Sequence, residues 1–293
     1  MRALAGAAAL AVVIGGGALA RSRSRADDAG VATPLAPTVL EQAVAAGRTF
    51  TWTSAHGPIK VWVPAGYHAD GAAIVLYVHG YYTDLDQAWV EHQLPEQFAL
   101  ASVNAVFIAP EAPSGARQAV AWLALEDLLA EVFAHVDVAR PMGEVIAVGH
   151  SGAYRTLLPW LEYPLLDTVV AVDSTYAEVD TWLAWMAASS RHRLIVVGDD
   201  TVRWTEELIA TLEQRLPGQV VTLDRIGTIE DVPAEARTAR AVYFRSQYSH
   251  LPLVTSGLVL PVLLRLVPVE VLADGPWREP LGLPARLDAG VVP

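Results

Sequence analysis

Hydrophobic residues in this chain fall into short continuous runs that are separated by longer amphipathic segments. A strand without polar alternation is buried on both faces, which is typical of a parallel sheet covered by helices on each side. The runs predict strands at Ala73 to Val78, Ala105 to Ala109, Val145 to Val148, Thr168 to Val172, Leu194 to Val197 and Ala241 to Arg245. The amphipathic segments predict helices at Asp86 to Ala101, Arg117 to Val136, Tyr154 to Glu162, Trp204 to Leu216 and Leu253 to Leu266.

An antiparallel hairpin is predicted before the first of these strands. Thr49 to Ser54 and Ile59 to Val63 are rich in β-branched and aromatic residues, and a Gly57-Pro58 turn separates them. Strands and helices then alternate, which makes the fold class α/β. The hairpin and the small number of further strands favour an open sheet over a closed eight-stranded barrel. We therefore expect an open, mostly parallel β-sheet with helices on both faces and an N-terminal antiparallel hairpin.

The N-terminus has the pattern of a signal peptide. Arg2 precedes an uncharged run from Ala3 to Ala20, which ends in the small-x-small pattern that a signal peptidase needs. Arginines at 21, 23 and 25 follow the run directly, and positive charge there favours retention of that end in the cytoplasm. Residues 1–26 are thus predicted to be a signal peptide, with a membrane anchor as the alternative. The protein is expected to be secreted or periplasmic, and membrane-bound only if this segment is retained.

The rest of the chain divides by composition into three parts. Residues 27–48 are rich in Ala, Pro and small polar residues, as in a linker, with one short helix around Val39 to Ala46. Residues 49–270 form the predicted α/β domain, and residues 271–293 form a Pro-rich tail.

Composition and charge exclude several classes of protein. Hydrophobic residues make up 53% of the 293 residues, which is too many for a disordered chain. The 20 cationic residues against 32 carboxylates give a charge of -12, which is unsuited to nucleic acid. The absence of cysteine rules out thiolate catalysis, disulfides and cysteine-ligated metal centres. No His-x-x-His or His-Glu-x-x-His spacing and no phosphate-binding glycine loop occurs, so we expect neither a metal nor a cofactor.

Reactive side chains follow four of the predicted strands. In an open parallel sheet, ligands bind just beyond the carboxyl ends of the strands, so these positions are the candidates for chemistry. The segments are His79-Gly80-Tyr81-Tyr82, Gly149-His150-Ser151-Gly152-Ala153, Asp173 and Asp199-Asp200.

The segment Gly149 to Ala153 predicts a catalytic nucleophile. A G-x-S-x-G sequence between a buried strand and a helix forms a sharp turn that projects the serine above the sheet. Small residues are needed two positions before and after the serine because the two backbones come close together. Ala153 departs from the commonest form by one methyl group. Ser151 is therefore the predicted nucleophile.

With these features the sequence resembles the α/β-hydrolase fold of serine hydrolases, from about Thr49 to Arg265. The resemblance rests on the hairpin, the Val78-His79-Gly80-Tyr81 turn, the elbow around Ser151, and the chain order serine, acid, histidine. It implies an oxyanion hole built from the backbone N–H groups of Tyr81 and Gly152. Two fixed donors aimed at the developing negative oxygen stabilise the tetrahedral intermediate.

The same resemblance requires a histidine base after the nucleophile. Only His192 and His250 lie downstream of Ser151, and His192 precedes its strand at the wrong end of the sheet. His250 follows a late strand and is the predicted base.

The predicted acid is Asp173, which ends its strand next to polar residues able to hydrogen-bond its second oxygen: Ser174, Thr175 and Tyr176. Asp199 and Asp200, after the next strand, remain the alternative. Both strand ends deliver the acid in members of this family.

The expected activity is cleavage of a small-molecule carboxylic ester by a Ser-His-Asp triad through an acyl-enzyme intermediate. The alternatives are amide, peptide or thioester cleavage by the same residues, and a non-catalytic scaffold used for binding. The acyl chain, the leaving group and the oligomeric state stay open at this point.

Overall fold

The computed structural model describes residues 38–273, 275 and 276. The predicted signal peptide or anchor lies outside the described residues, as do half of the linker and most of the C-terminal tail. None of the helices in the described part combines the length and the hydrophobicity needed to cross a membrane.

The strands of the described region form one nine-stranded, mostly parallel sheet. The outer strand pairs β1–β2 and β2–β4 are antiparallel, and all other pairs are parallel. The strands are β1 (Arg48–Ser54), β2 (Gly57–Val63), β3 (Ala73–Val78), β4 (Ala105–Pro110), β5 (Val145–His150), β6 (Leu166–Val172), β7 (Arg193–Gly198), β8 (Val220–Leu223) and β9 (Ala241–Arg245). Their order across the sheet is β1-β2-β4-β3-β5-β6-β7-β9-β8. The open, mostly parallel sheet with its N-terminal hairpin is confirmed.

Helices cover both faces of this sheet. They are α1 (Val39–Ala46), α2 (Leu85–Glu91), α3 (Leu94–Ala101), α4 (Leu125–His135), α5 (Tyr154–Trp160), α6 (Val179–Ala188), α7 (Val202–Arg215), α8 (Ala234–Thr238), α9 (Pro252–Thr255) and α10 (Val259–Leu264). Alternate residues of β3 enter two separate hydrophobic cores: Val75 packs with α3 and α10, and Leu76 packs with α4 and α5. Strands buried on both faces therefore explain the continuous apolar runs.

Three predicted helices differ from those observed. The helix predicted over residues 86–101 is two helices, because Gln93 has a left-handed φ of 49° and Pro95 lies in the first turn of the second one. The segment predicted over residues 253–266 is also split, with Gly257 at φ 70° between its halves. The helix predicted from Arg117 begins only at Leu125.

The segment before β1 contains the predicted short helix, and this helix is packed. Thr38 caps α1 by accepting from the N–H of Glu41, whose carboxylate accepts from the N–H of Thr38 in return. Leu40 is buried in the core next to α3. At the other end of the described chain, Val271 forms an isolated antiparallel bridge with Val103. Leu40 and Val103 belong to the same hydrophobic core, so both flanking segments contact residues of that core.

Candidate active site

Ser151 lies on a sharp turn between β5 and α5. A single 3-10 turn covers Ser151–Ala153 and continues directly into the helix. The backbone of Ser151 has φ 53°, a left-handed conformation that is strained for a residue with a side chain. A Cβ atom on Gly149 would lie 2.6 Å from Leu157 and 3.0 Å from Cβ of Ala153. The crowding explains why small residues flank the serine, and the methyl group of Ala153 is accommodated.

The turn after β3 packs directly against this serine. A Cβ atom on Gly80 would lie 2.8 Å from Cβ of Ser151, and one on Gly152 would lie 2.5 Å from the ring of Tyr81. Any larger residue at either position would collide with its neighbour. His79 supports the turn, with its Nδ1 2.8 Å from the carbonyl oxygen of Gly80. The two residues predicted to supply the oxyanion donors, Tyr81 and Gly152, therefore lie on adjoining segments beside Ser151.

His250 and Asp173 form a hydrogen-bonded pair at the carboxyl edge of the sheet. Asp173 directly follows β6, and His250 lies in the loop after β9. Nδ1 of His250 lies 2.5 Å from Oδ2 of Asp173. The carboxylate is fully buried, whereas the imidazole is 27% exposed. Ser151 lies near both residues. The fold thus brings the predicted serine, acid and base together from three separate strand ends.

The alternative acids contact Asp173 mainly through their backbone. The N–H groups of Asp199 and Asp200 donate to its two carboxylate oxygens at 2.9 and 3.0 Å. Thr201 donates twice to Oδ1, from its N–H at 2.8 Å and its hydroxyl at 2.7 Å. The side chain of Asp200 is 61% exposed, and its Oδ2 lies 3.6 Å from Nδ1 of His250, beyond hydrogen-bond range. The loop after β7 therefore orients the Asp173 carboxylate.

These contacts shift the pKa values of the pair in opposite directions. Burial by itself would raise the pKa of Asp173, but hydrogen bonds from His250, Asp199 and Thr201 outweigh burial and hold that pKa well below its usual range. The hydrogen bond to Asp173 raises the pKa of His250, against the burial that lowers it. The negative charges of Asp173 and the two neighbouring aspartates raise it further. The carboxylate is therefore ionised at neutral pH and accepts a hydrogen bond from Nδ1–H.

Two buried histidines pack in a row beside His250: His150 contacts its ring, and His92 contacts the ring of His150. The ring of His150 lies 4.6 Å from that of His250, and its Nε2 lies 3.2 Å from the His250 carbonyl oxygen. His92 packs edge-on against His150 at 6.0 Å, and its Nδ1 lies 2.7 Å from the hydroxyl of Tyr77. Burial lowers the pKa of His150 to about 3 and that of His92 to about 4. Both rings are neutral at neutral pH, so His150 donates Nε2–H to the loop that carries His250.

Unfolding in mild acid tests whether these two histidines are neutral. Folding depresses their pKa values, so the unfolded chain binds protons first and stability falls as the pH drops below about 6.5. Between pH 6.5 and pH 4.5 we expect His92 and His150 each to remove about 2 to 3 kcal/mol from the free energy of unfolding. Urea titrations at the two pH values, followed by circular dichroism, measure the combined loss of stability from both histidines.

His150→Gln is the matched variant for this measurement, because it keeps a donor near the Nε2 position and does not titrate. It should show about half of the wild-type pH dependence. Titration of the Asp173–His250 pair does not interfere between pH 6.5 and pH 4.5. Because the pKa of His250 is raised, its contribution to the free energy of unfolding is constant below about pH 6.5. The contribution of Asp173 to this free energy is lost only below about pH 4. An unchanged pH dependence in His150→Gln would contradict the neutral buried state of His150.

Sequence reasoning assigned the partners of Asp173 incorrectly. Ser174 and Thr175 were expected to bond its second oxygen, but Ser174 donates to the carbonyl oxygen of Ser151 at 2.8 Å. The hydroxyl of Thr175 lies 2.6 Å from that of Thr205. The loop after β7 supplies the donors instead. Thr201 was missed in this role, because nothing in the local sequence relates it to a carboxylate 28 residues earlier.

One group of side chains in the described region has the spacing of a metal site. Ligand atoms of Asp173, Asp200 and His250 all lie within 4.8 Å of one another. The Asp173 carboxylate already accepts five hydrogen bonds, from Asp199, Asp200, Thr201 and His250. A cation would have to displace donors whose hydrogens point at the same oxygens, so the donor set fits an orienting carboxylate better than a metal ligand.

Comparison with solved structures identifies the fold. The chain is similar to a serine-to-alanine mutant of the feruloyl esterase module from Clostridium thermocellum complexed with sinapinate. The two are 12% identical, with 78% of this chain and 92% of that chain covered and a TM-score of 0.50. A second structure, of a protein named FAE, is 11% identical, with the same coverage and a TM-score of 0.50. No family model matches the sequence, and no curated protein is significantly similar to it. The chain has the α/β-hydrolase fold.

Proposed function

We propose that this protein is a serine hydrolase that cleaves carboxylic esters of small molecules. The observation that carries the proposal is the hydrogen-bonded pair of buried Asp173 and partly exposed His250, with Nδ1 2.5 Å from Oδ2, next to a serine held in a strained turn. A left-handed backbone conformation at a serine costs free energy and is not needed for a simple strand-helix turn. Backbone strain of this kind is concentrated at functional sites. The fold shared with an esterase provides the frame for this chemistry.

In the proposed reaction, Oγ of Ser151 attacks the acyl carbon while Nε2 of His250 takes the hydroxyl proton. Asp173 holds the imidazole in the tautomer that leaves Nε2 free to accept, and stabilises the imidazolium. The carbonyl oxygen becomes negative between the N–H groups of Tyr81 and Gly152. The intermediate collapses, the alcohol leaves with the proton from His250, and an acyl-enzyme remains. Water then attacks the acyl carbon with the same proton transfers and releases the acid.

Labelling with a fluorophosphonate probe tests the proposal, since only an activated serine displaces the fluoride. We expect the native protein to gain one probe mass, on the peptide that contains Ser151. Heat-denatured protein should gain none, because its triad is dispersed. A native protein that stays unlabelled would contradict the proposal and favour a non-catalytic binding scaffold. Parallel assays with ester, amide and thioester substrates of one acyl group distinguish the alternative bond types.

The pH dependence of the labelling rate tests whether a histidine is the general base. His250 must be neutral to accept the proton, and its pKa is raised by Asp173. The labelling rate should therefore fall about tenfold per pH unit below a midpoint that lies above the ordinary imidazole value of about 6.5. A rate that is flat from pH 5 to pH 8 would argue against a histidine base.

We also propose that the protein is exported. The support is the sequence alone: the uncharged run from Ala3 to Ala20 and the small-x-small pattern at its end. Retention of this segment as an anchor is the alternative, because three arginines follow it.

A further inference from the structure

His150 immediately precedes the proposed nucleophile and has no part in the proposed reaction. It is the last residue of β5, and only 3% of its surface is exposed, so a substrate at Ser151 does not reach its side chain. The ring of His150 packs against that of His250, with the centroids 4.6 Å apart and the planes tilted by 38°. A buried polar side chain thus lies between the proposed nucleophile and the proposed base.

The Nε2 atom of His150 is hydrogen-bonded to the backbone of the base. It lies 3.2 Å from the carbonyl oxygen of His250. A carbonyl oxygen can only accept, so Nε2 carries the hydrogen. Burial lowers the pKa of His150 to about 3, which keeps the ring neutral and in this one tautomer at the pH values at which His250 can act as a base. The bond is therefore permanent during the proposed reaction.

The ring of His150 is itself held by its surroundings. A Cβ atom on Gly80, in the turn after β3, would lie only 3.3 Å from Nδ1 of His150. His92 meets the ring edge-on, with the centroids 6.0 Å apart, and the hydroxyl of Tyr77 lies 2.7 Å from Nδ1 of His92. Close packing by these neighbours limits rotation of the ring. The donor atom Nε2 consequently has a fixed position relative to β5.

The backbone of His250 needs such a contact because it lies in a loop. β9 ends at Arg245 and α9 begins only at Pro252, so strand pairing and helical hydrogen bonds both stop short of the base. Another buried side-chain donor does reach this part of the chain: Nε2 of Gln97 donates to the carbonyl oxygen of Val254 at 2.8 Å. That contact anchors α9, whereas the bond from His150 is made to the base itself.

We propose that His150 is a positioning residue, which holds the proposed base at a fixed distance from the proposed nucleophile. His150 and Ser151 are consecutive residues at the end of a strand that is buried on both faces. The backbone of this short unit carries Oγ of Ser151, and its side chain holds the carbonyl group of His250. The separation of nucleophile and base is thus set by two neighbouring residues. This role rests on the proposed function and deepens it.

The distance between the two groups matters because proton transfer requires hydrogen-bond reach. Nε2 of His250 has to lie within about 2.6 to 3.2 Å of the oxygen whose proton it takes. A misplacement of about 1 Å can lower the rate of an enzyme about 100-fold. A loop without the bond from His150 would sample positions outside this range, so fewer encounters with substrate would lead to reaction.

The variants His150→Gln and His150→Met test the proposal, because their side chains have the same length and only glutamine is a donor. The amide nitrogen of glutamine takes a place near that of Nε2. With p-nitrophenyl acetate we expect kcat to fall about 10- to 100-fold in His150→Met and to stay within about threefold of wild type in His150→Gln. KM should remain within about twofold in both variants, because the residue does not contact the substrate.

The pH profile of kcat distinguishes a displaced base from a general loss of structure. The charged groups that face His250 are Asp173, Asp199 and Asp200, and all three raise its pKa. Replacing the neutral ring of His150 changes none of these charges. A base that has moved away from Asp173 should still lose part of the increase in its pKa. The acid midpoint should therefore fall towards about 6.5 in His150→Met and stay near the wild-type value in His150→Gln.

His192→Met is the matched control at the opposite edge of the sheet. Nδ1 of His192 lies 2.5 Å from the carbonyl oxygen of Trp185, and the two rings are stacked with their centroids 4.4 Å apart. The substitution also removes a histidine that is hydrogen-bonded to a carbonyl oxygen and stacked on a ring. It should lower the melting temperature and leave kcat and its acid midpoint unchanged.

Three results would overturn the assignment of His150. These are a kcat within about twofold of wild type in folded His150→Met, equal losses in the two His150 variants, or a loss of kcat without a shift of the midpoint. If a thermal melt shows that His150→Met is unfolded, His150→Asn takes its place with the same expected results, because its shorter amide does not reach the carbonyl group of His250. Failure of the proposed function looks different: the wild-type protein would then neither hydrolyse the ester nor react with a fluorophosphonate at Ser151.

Discussion

Ser151→Ala is expected to lower kcat/KM for activated esters by about 10⁴- to 10⁶-fold while the protein stays folded. The lost Oγ is the atom that would form the acyl bond, and nucleophile, base and acid act as a unit. What remains is the rate supplied by the oxyanion donors and by substrate binding. Alanine keeps Cβ and the strained backbone of this turn, so the contact with Gly80 is retained. Steady-state assays and circular dichroism on the same preparation measure both effects.

Ser54→Ala provides a matched control for this experiment. The Ser54 hydroxyl donates to the carbonyl oxygen of Gly57 at 2.9 Å, within the hairpin turn. Its loss should affect turnover little. If Ser151→Ala turns over esters at a rate comparable to wild type, the nucleophile is another residue.

Asp173→Asn should lower turnover by about 10⁴-fold, the loss seen when an orienting carboxylate of a serine triad is replaced by an amide. The contacts of Asp173 explain why the amide would be so damaging here. Oδ1 accepts from Asp199 and twice from Thr201, so the remaining carbonyl oxygen of an asparagine would have to take that position. The NH2 group would then face His250. Its Nδ1 would have to accept a hydrogen bond, which puts the ring proton on Nε2, where it blocks proton transfer from Ser151.

The same substitution should also reduce stability. In the native protein the N–H of Asp200 donates to Oδ2 at 3.0 Å. In the variant this N–H would face the NH2 group, which is also a donor, and would have no acceptor. An unsatisfied buried donor costs about 1 to 3 kcal/mol, and urea unfolding measures this. Turnover at saturating substrate, corrected for the folded fraction, separates the two effects.

Asp199→Asn and Asp200→Asn are the controls that distinguish the two candidate acids. Both residues hold Asp173 through backbone N–H groups, which these substitutions keep. We expect turnover within about threefold of wild type, and a slightly lower acid midpoint because one negative charge near His250 is removed. If Asp200→Asn inactivates the enzyme and Asp173→Asn does not, then the acid is Asp200.

Strands were the easiest elements to predict. The runs at residues 73–78 and 241–245 have the bounds of β3 and β9, because a strand buried on both faces excludes polar residues along its whole length. β8 (Val220–Leu223) was missed. It is short, lies at the edge of the sheet and is only half-buried, so its four residues carry little hydrophobic signal. Helix ends were less predictable, since the break at Gln93 depends on a left-handed residue that no periodicity reveals.

The sequence by itself determined the elements of the site that depend on local chemistry and chain order. The proposed nucleophile was predicted from the small residues around Ser151 between a buried strand and a helix, because strand-helix crowding is a local constraint. The proposed base, His250, was predicted because the resemblance requires a histidine downstream of that serine, and few histidines lie there. The sheet arrangement follows from the two-sided burial of the strands. Each of these signals is contained in neighbouring residues or in their order along the chain.

Only the tertiary structure decided which groups meet across the sheet edge. Asp173 and the Asp199-Asp200 pair end adjacent strands, and the sequence does not tell which carboxylate turns towards the imidazole. The choice depends on the three N–H groups and one hydroxyl that converge on Asp173 from the next loop. The contacts of Ser174 with Ser151 and of His150 with His250 likewise join segments far apart in sequence. Such pairings depend on distances and directions set by the packing of many elements, so no local pattern specifies them.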